Sequence, residues 1–380
     1  MADGAGPARL AIAWELHQVE HLAPWCELLR MPLLVTDNGR LDAVAQAYPG
    51  LVVEKAVGIA MPDGLPALGR LIAERSPRAI FYSDLFGRRA LRALFGGQRA
   101  APRIVYVPHG FSEKRQTWAA GTAQQDVAVL YGQYAFDQLV SLGVAGYLHH
   151  FVVSGNVRAG YHRRHAAYFR AQVDSLGLGG PRPARTLVYA PTWQDAIGSS
   201  SYFQAFASFA THLPSGWRLI VKLHPHLERK AAAIDALAAL ARGRDVHLVR
   251  ANPLCYPFLD LADAYVGDMS SLAYDFLAYD RPMFFTNATA GSAADAAKSR
   301  LFDCGTVIPP ERYDALYRVI DEAWTTDAER FSEKRASLDA YTHATPRDDD
   351  DLRDEMVEIL AGVAPSWMVA KLAPPRGAAS

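Results

Sequence analysis

The sequence predicts an α/β protein made of two doubly wound halves, each a parallel sheet with helices on both faces. Three observations carry this. Short, wholly apolar runs of strand length alternate with helical stretches, which is the pattern of strands covered on both sides. The alternation stops at a Gly/Pro-rich segment and then restarts. The chain has 380 residues, 50% of them hydrophobic, enough for two cores of ordinary size.

Leu10 to Trp14 reads as a short buried strand and Val19 to Leu29 as the helix after it. Leu33 to Thr36 is strand-like and runs into the turn Asp37-Asn38-Gly39. Ala79 to Ser83, Ile104 to Val107, Val127 to Tyr131 and Phe151 to Ser154 are further strands, with a helix over Tyr134 to Leu142. Leu178-Gly179-Gly180-Pro181-Arg182-Pro183 carries Gly and Pro where neither helix nor strand keeps them, and reads as the linker. In the second half Thr186 to Ala190, Arg218 to Leu223, Val246 to Val249, Ala264 to Val266 and Met283 to Thr286 are strands. Ala231 to Ala241 and Ser270 to Ala278 are helices. From Pro309 the chain is helical and charged, with a fraying tail from Pro374, and no internal repeat is visible. The expected organisation is a first domain over 1–178, a second over 184–345, and a helical segment with tail over 346–380. Two such halves in tandem put a cleft at the carboxyl ends of their strands, where open α/β sheets bind ligands.

Composition excludes some functions. Lys plus Arg is 39 and Asp plus Glu is 40, a formal charge of -1. Such balance speaks against a nucleic-acid binder, whose affinity comes from neutralising phosphates. Cys26, Cys255 and Cys304 are odd in number and far apart, so no disulfide framework or paired metal-ligand spacing is expected. The start of the chain lacks the basic and apolar regions of a signal peptide, and no apolar run is long enough to span a bilayer. A soluble, cytoplasmic protein is expected, with rest on the inner face of a membrane left open.

Five short clusters follow strand candidates, where a doubly wound fold places its working loops. In Pro108-His109-Gly110-Phe111, Gly110 lets the backbone turn and His109 projects from a strand end, an imidazole suited to take a proton from a hydroxyl. A histidine satisfied by a backbone bond in a turn is the plainer reading of these four residues alone. In Ser154-Gly155-Asn156-Val157-Arg158, Gly155 and Asn156 tolerate positive φ and Arg158 suits an anion; a strand-ending turn with a surface arginine is the plainer reading. Tyr189-Ala190-Pro191-Thr192-Trp193 stops a strand with proline and presents the Thr192 hydroxyl and an indole. In Lys222-Leu223-His224-Pro225, alternation puts Lys222 and His224 on one face, a receptor for a diphosphate. Gly267-Asp268-Met269-Ser270-Ser271 leads from strand into helix, whose first turn suits phosphate. Capping by Asp268 or Ser270 needs no ligand and stays an alternative.

Together the clusters resemble the CDP-glycerol glycerophosphotransferase family, the teichoic acid glycerol-phosphate primases and polymerases. The matching stretches are Pro108-His109-Gly110, Ser154 to Arg158, Ala190-Pro191-Thr192-Trp193, Lys222-Leu223-His224-Pro225 and Asp268-Met269-Ser270-Ser271 with Tyr274-Asp275. Pro108, Val157 and Met269 stand where the family has tryptophan, proline and tyrosine. The resemblance implies two Rossmann-like domains facing a cleft, a glycosyltransferase-B-like fold. It implies transfer of glycerol phosphate from CDP-glycerol to a hydroxyl of a glycan or lipid-linked acceptor, with release of CMP. The family's two essential histidines fall on His109 and His224.

Phosphoryl transfer needs an in-line nucleophile, neutralised charge and a stabilised leaving phosphate. The expected assignment makes His109 the base. His224 and Lys222 hold the diphosphate, Ser270 and Ser271 grip donor phosphates, and Thr192, Arg158, Asn156 and Asp268 complete the donor site. No Asp-x-Asp pair demands a metal, no cofactor is expected, and help from magnesium stays open. Between Arg70 and Arg103 lie eight arginines against Glu74 and Asp84, and Leu85 to Phe95 reads either as a basic amphipathic helix for anionic membranes or as a helix burying its leucines. A nucleotide-sugar glycosyltransferase, a sugar-nucleotide 2-epimerase and a non-catalytic binding protein are the rival readings, because a fold does not determine a reaction.

Overall fold

The computed structural model describes residues 9–36, 41–55, 65–83, 93, 102–111, 121–122, 125–193, 200–228, 230–250, 252–286 and 299–362. Two compact units emerge. Residues 1–109, 114–161 and 341–380 form the first, and 110–113 with 162–340 form the second.

The first unit holds seven strands: β1 (Arg9–Ala13), β2 (Leu33–Val35), β3 (Val53–Lys55), β4 (Ala79–Tyr82), β5 (Arg103–Tyr106), β6 (Val127–Leu130) and β7 (Phe151–Val153). They pair in the order β3-β2-β1-β4-β5-β6-β7, all parallel. The second unit holds β8 (Arg185–Ala190), β9 (Trp217–Lys222), β10 (Val246–Val249), β11 (Ala264–Gly267), β12 (Met283–Thr286) and β13 (Thr306–Ile308). Their order is β10-β9-β8-β11-β12-β13, again all parallel. Each sheet starts at a central strand, adds two strands on one side, then returns to the other side. The switch points therefore lie between β1 and β4 and between β8 and β11, where a doubly wound sheet opens a crevice at its carboxyl edge. The two units repeat this order without any repeat in sequence.

Burial on both faces explains the uniform apolar strands. Leu10 to Ala13, Ala79 to Tyr82 and Leu187 to Ala190 are all buried, so no polar alternation survives in them. The helix Tyr202–Thr211 turns Tyr202, Ala205, Phe206, Phe209 and Ala210 onto one face, the 3.6-residue stripe that packs against β8 and β9 through Leu187, Tyr189, Leu219 and Val221. Each such large apolar side chain contributes about 1.5–3 kcal/mol by leaving water.

Several boundaries differ from the expected ones. The first helix spans Leu16–Leu29 and starts before Val19 because Gln18 Oε1 accepts from the backbone N–H of Trp14 at 2.8 Å and of Glu15 at 3.3 Å. β3, Val53-Glu54-Lys55, and β13, Thr306-Val307-Ile308, include polar residues and so show no wholly apolar run. The Gly/Pro-rich segment 178–183 lies inside the second unit, and the chain changes unit between Tyr161 and His162. Residues 341–361 return to the first unit. Tyr341 stacks on Tyr134 with centroids 4.6 Å apart and donates to Asp137 at 2.5 Å, and Arg347 donates to the Val153 carbonyl at 3.2 Å. The expected basic helix Leu85 to Phe95, Ala93 apart, lies outside the described residues, as do the turn at 37–39 and the tail from 374. Among the described residues no helix is long and apolar enough to cross a membrane.

Candidate active site

In the first unit, His109 follows β5 by three residues and is exposed. Gly110 beside it has φ 113, a backbone turn that costs other residues strain. His109 Nδ1 lies 2.8 Å from the carbonyl oxygen of Ser83, just past β4. A carbonyl only accepts, so Nδ1 carries the proton and Nε2 carries the ring's basic lone pair.

Behind it sits a polar cluster. Tyr131, just past β6, donates its hydroxyl proton to the Pro108 carbonyl at 2.6 Å. That hydroxyl has one proton, so the 2.9 Å contact with His21 Nδ1 is a donation from His21. His17 and His21 lie on one face of the helix Leu16–Leu29, and the His17 ring meets His109 edge-on at 5.3 Å. Arg158 is 3% exposed, 3.6 Å from Glu20 Oε2, with its guanidinium 5.8 Å from the Tyr131 ring centre. Asn156 Oδ1 accepts from Ala159 N–H at 3.1 Å and so caps the helix Val157–Arg164. These two residues, expected to bind the donor, lie in the first unit, Arg158 as a buried cation beside Glu20 and Asn156 as a helix cap.

Burial holds the His21 pKa well below 6.5, and the nearby Arg158, His109 and His17 push the same way. His21 stays neutral in the folded chain while the unfolded chain takes up a proton below about pH 6.5. Its contribution to stability is therefore complete above about pH 6.5 and is lost as the pH falls toward the folded value. Thermal melts of wild type and His21→Asn between about pH 7.5 and about pH 5 test this. Asn keeps a donor to Tyr131 without a titrating ring, and its melting temperature is expected to fall less steeply with acid.

In the second unit, the segments after β8, β9 and β11 bring polar groups to the carboxyl ends of the strands, where Thr286 ends β12. Asp268, one residue past β11, is buried with every oxygen engaged. Its Oδ2 accepts from the N–H groups of Thr192 at 2.9 Å and Ser201 at 3.0 Å, and its Oδ1 from the Thr286 hydroxyl at 2.8 Å. Proton counting then orders the rest: Ser201 Oγ donates to Thr286 Oγ1 at 2.9 Å, and the Tyr189 hydroxyl donates to Ser201 at 2.7 Å. Burial pushes the Asp268 pKa up to about 6 against the pull of these donors. Asp268, expected among the donor-binding residues, ties Thr192 after β8 and Ser201 before the helix Tyr202–Thr211 to the end of β12 at Thr286. Gly267 is required beside it, since a Cβ there would lie 2.6 Å from the Ala190 carbonyl and from the Tyr265 hydroxyl.

His224 lies two residues past β9 and is half-buried. Its Nδ1 accepts the N–H of His226 at 3.1 Å, so the neutral ring carries its proton on Nε2. Lys222 ends β9, nearly buried, and gives one of its three protons to the Asn252 carbonyl at 2.7 Å. Trp193 is exposed and meets the His226 ring edge-on at 5.6 Å, which meets His224 in turn at 5.2 Å. Ser270 is the N-cap residue of the helix Ser271–Phe276, its Oγ 3.0 Å from the Tyr265 hydroxyl; Ser270 and Ser271 are both half-buried. Phe111 packs edge-on against Tyr274 of that helix at 4.7 Å.

The second unit thus gathers His224, Lys222, Thr192, Asp268, Ser270 and Ser271 at one sheet edge, while His109, Asn156 and Arg158 belong to the first unit. Sequence reading missed His17, His21 and Tyr131 in one unit and Tyr189, Ser201 and Thr286 in the other. Tyr131 and Thr286 obey the same strand-end rule that found the rest. Among the described residues no group of three His, Cys, Asp or Glu is placed to hold a metal ion.

Two parallel α/β sheets of this order, with polar side chains crowding their carboxyl edges, define a glycosyltransferase-B-like fold. The same architecture is found in the UDP-GlcNAc 2-epimerase of Neisseria meningitidis bound to UDP-GlcNAc: TM-score 0.57, 12% identity, 93% of this chain and 99% of that one. S. aureus MnaA with UDP matches at TM-score 0.60 and 13% identity, over 94% and 98% of the two chains. The wall teichoic acid polymerase TagF, as a His-to-Asn variant with CDPG, matches at TM-score 0.63 and 11% identity, over 95% and 91%. No curated protein matches the chain by sequence. The family model of CDP-glycerol:poly(glycerophosphate) glycerophosphotransferases matches residues 161–355, and the chain belongs to this enzyme family. The matched stretch contains Thr192, Lys222, His224, Asp268, Ser270 and Ser271; His109 precedes it.

Proposed function

We propose that the protein transfers glycerol phosphate, or a similar polyol phosphate, from a CDP-linked donor to a hydroxyl of a glycan or lipid-linked acceptor during synthesis of a cell-surface polymer. The acceptor oxygen attacks the phosphorus that bears the polyol. The bond from that phosphorus to the oxygen bridging it to the CMP phosphate breaks, and CMP leaves with the electron pair. The hydroxyl proton passes to His109 Nε2. His224 donates its Nε2–H to the donor diphosphate, Lys222 offsets charge on the departing CMP, and Ser270, Ser271 and Thr192 hold the donor phosphates.

One observation carries this reading: the two histidines are set in opposite tautomers by their main-chain partners. The Ser83 carbonyl makes His109 a proton acceptor at Nε2, and the His226 amide makes His224 a proton donor at Nε2. A base and a charge-stabilising donor are what this displacement requires. The arginine excess over 70–103 supports an acceptor held on anionic lipid.

CMP release tests the proposal. CDP-glycerol, CDP-ribitol and UDP-sugars are each supplied with and without acceptor, in magnesium and in EDTA. Acceptor-dependent CMP release from a CDP-polyol is expected. Sugar transfer from a UDP-sugar without CMP release from any CDP-polyol would overturn it.

A further inference from the structure

We propose that Tyr131 is a positioning residue for the histidine at 109, acting through the carbonyl of Pro108; this rests on the role proposed above for His109. The His109 ring is exposed, so packing does little to aim it. Two carbonyls do the work instead. Ser83 holds Nδ1 from the end of β4, and the backbone just before His109 is held by the Tyr131 hydroxyl. The Pro108 carbonyl carbon is bonded directly to the His109 nitrogen, so fixing that peptide plane fixes where the His109 side chain departs.

Tyr131 is itself clamped from three further elements of the first unit. His21 donates to its hydroxyl from the helix after β1, Arg158 covers its face from the helix after β7, and His343 approaches its edge at 6.2 Å from the returning segment. The charged and titratable groups around it are thus His21, Arg158 and His343, with Glu20 on Arg158 and His17 and His109 nearby. The Nδ1–H of His21 keeps this chain of donations pointing one way, from His21 to Tyr131 to Pro108. The buried cluster thereby acts as a splint for an exposed base.

Phenylalanine at 131 keeps the ring, its packing and the guanidinium over its face, and removes only the hydroxyl. Tyr131→Phe, His109→Ala and the double variant, each as full chain, are compared for kcat and donor KM in CMP release. Tyr131→Phe is expected to lower kcat about tenfold with donor KM little changed, and to lower the melting temperature by a few degrees, because the buried His21 Nδ1–H loses its acceptor. In the His109→Ala background the same change is expected to cost nothing more. An unchanged kcat in Tyr131→Phe, or a tenfold loss repeated on top of His109→Ala, overturns the proposal. Wild-type turnover in His109→Ala overturns the base role itself and is read without reference to Tyr131. A second readout needs no substrate: the ring 15N signals of His109 are expected to report a single Nδ1–H form in wild type and to broaden in Tyr131→Phe, and identical spectra count against the splint.

Discussion

Alanine in place of His109 is expected to lower turnover by about 10² to 10⁴ while leaving the fold intact, the range for losing a general base. The ring is exposed and holds one backbone carbonyl, so little stability goes with it. Alanine at 224 is expected to cost about 10² to 10³, the range for losing a well-placed donor to developing charge. The two losses differ in kind. A base acts only as the hydroxyl attacks, so His109→Ala is expected to lower kcat with donor KM nearly constant. His224 meets the donor in ground and transition states alike, so His224→Ala is expected to raise donor KM as well. The double variant is expected to fall short of the product of the two losses, because both groups serve one step. Steady-state kinetics on CDP-glycerol with acceptor decides. Wild-type turnover in either single variant removes that histidine from the mechanism.

What could be read from the sequence was what neighbouring residues decide. A strand buried on both faces announces itself as an apolar run, and Met283–Thr286 and Val127–Leu130 appear where the runs do. The strand-end rule singled out His109 and His224, and the structure has them just past β5 and β9, where a doubly wound sheet exposes its loops. Orientation and long-range pairing were not legible. Asp268 and Thr192 are 76 residues apart, and only the pairing of β8 with β11 brings the N–H of one to the carboxylate of the other. Arg158 looked like an anion clamp because Glu20, its partner, belongs to a helix more than a hundred residues earlier. The return of 341–361 to the first unit depends on contacts such as Tyr341 with Asp137, for which no local pattern exists. The division at Tyr161 and His162 falls within the helix Val157–Arg164, where composition carries no signal, whereas the Gly/Pro-rich segment that looked like a linker only leads into β8.

Asp268→Ala is expected to destabilise the second unit by at least about 3 kcal/mol, since it strands two N–H groups and a hydroxyl in a buried place at about 1–3 kcal/mol each. The melting temperature should fall by about 6–12 °C for a unit of this size. Activity should fall with it, because the same carboxylate fixes Thr192 and the loop entering Ser201. Asp268→Asn is the instructive contrast. Its amide oxygen can take both N–H groups, and its amide nitrogen can donate to Thr286 Oγ1. Thr286 then turns its proton to Ser201, and Ser201 to Tyr189, so the chain of hydroxyls reverses; both N–H groups and Thr286 keep a partner, and the loss is confined to the Tyr189 proton and the second amide hydrogen. A smaller fall in melting temperature at neutral pH is therefore expected for Asn than for Ala. The two carboxylate states also leave a mark in pH. With a folded pKa of about 6 against about 3.9 unfolded, Asp268 binds its proton more tightly in the folded chain. Its contribution to stability is complete below about pH 4 and is lost as the pH rises through about 6. Melts of wild type and Asp268→Asn across that window should converge at low pH less well than at neutral pH, with Asn lacking the decline. Equal slopes in the two proteins, or an Asn variant as unstable as Ala, would show that the carboxylate holds these loops by something other than the donors it faces.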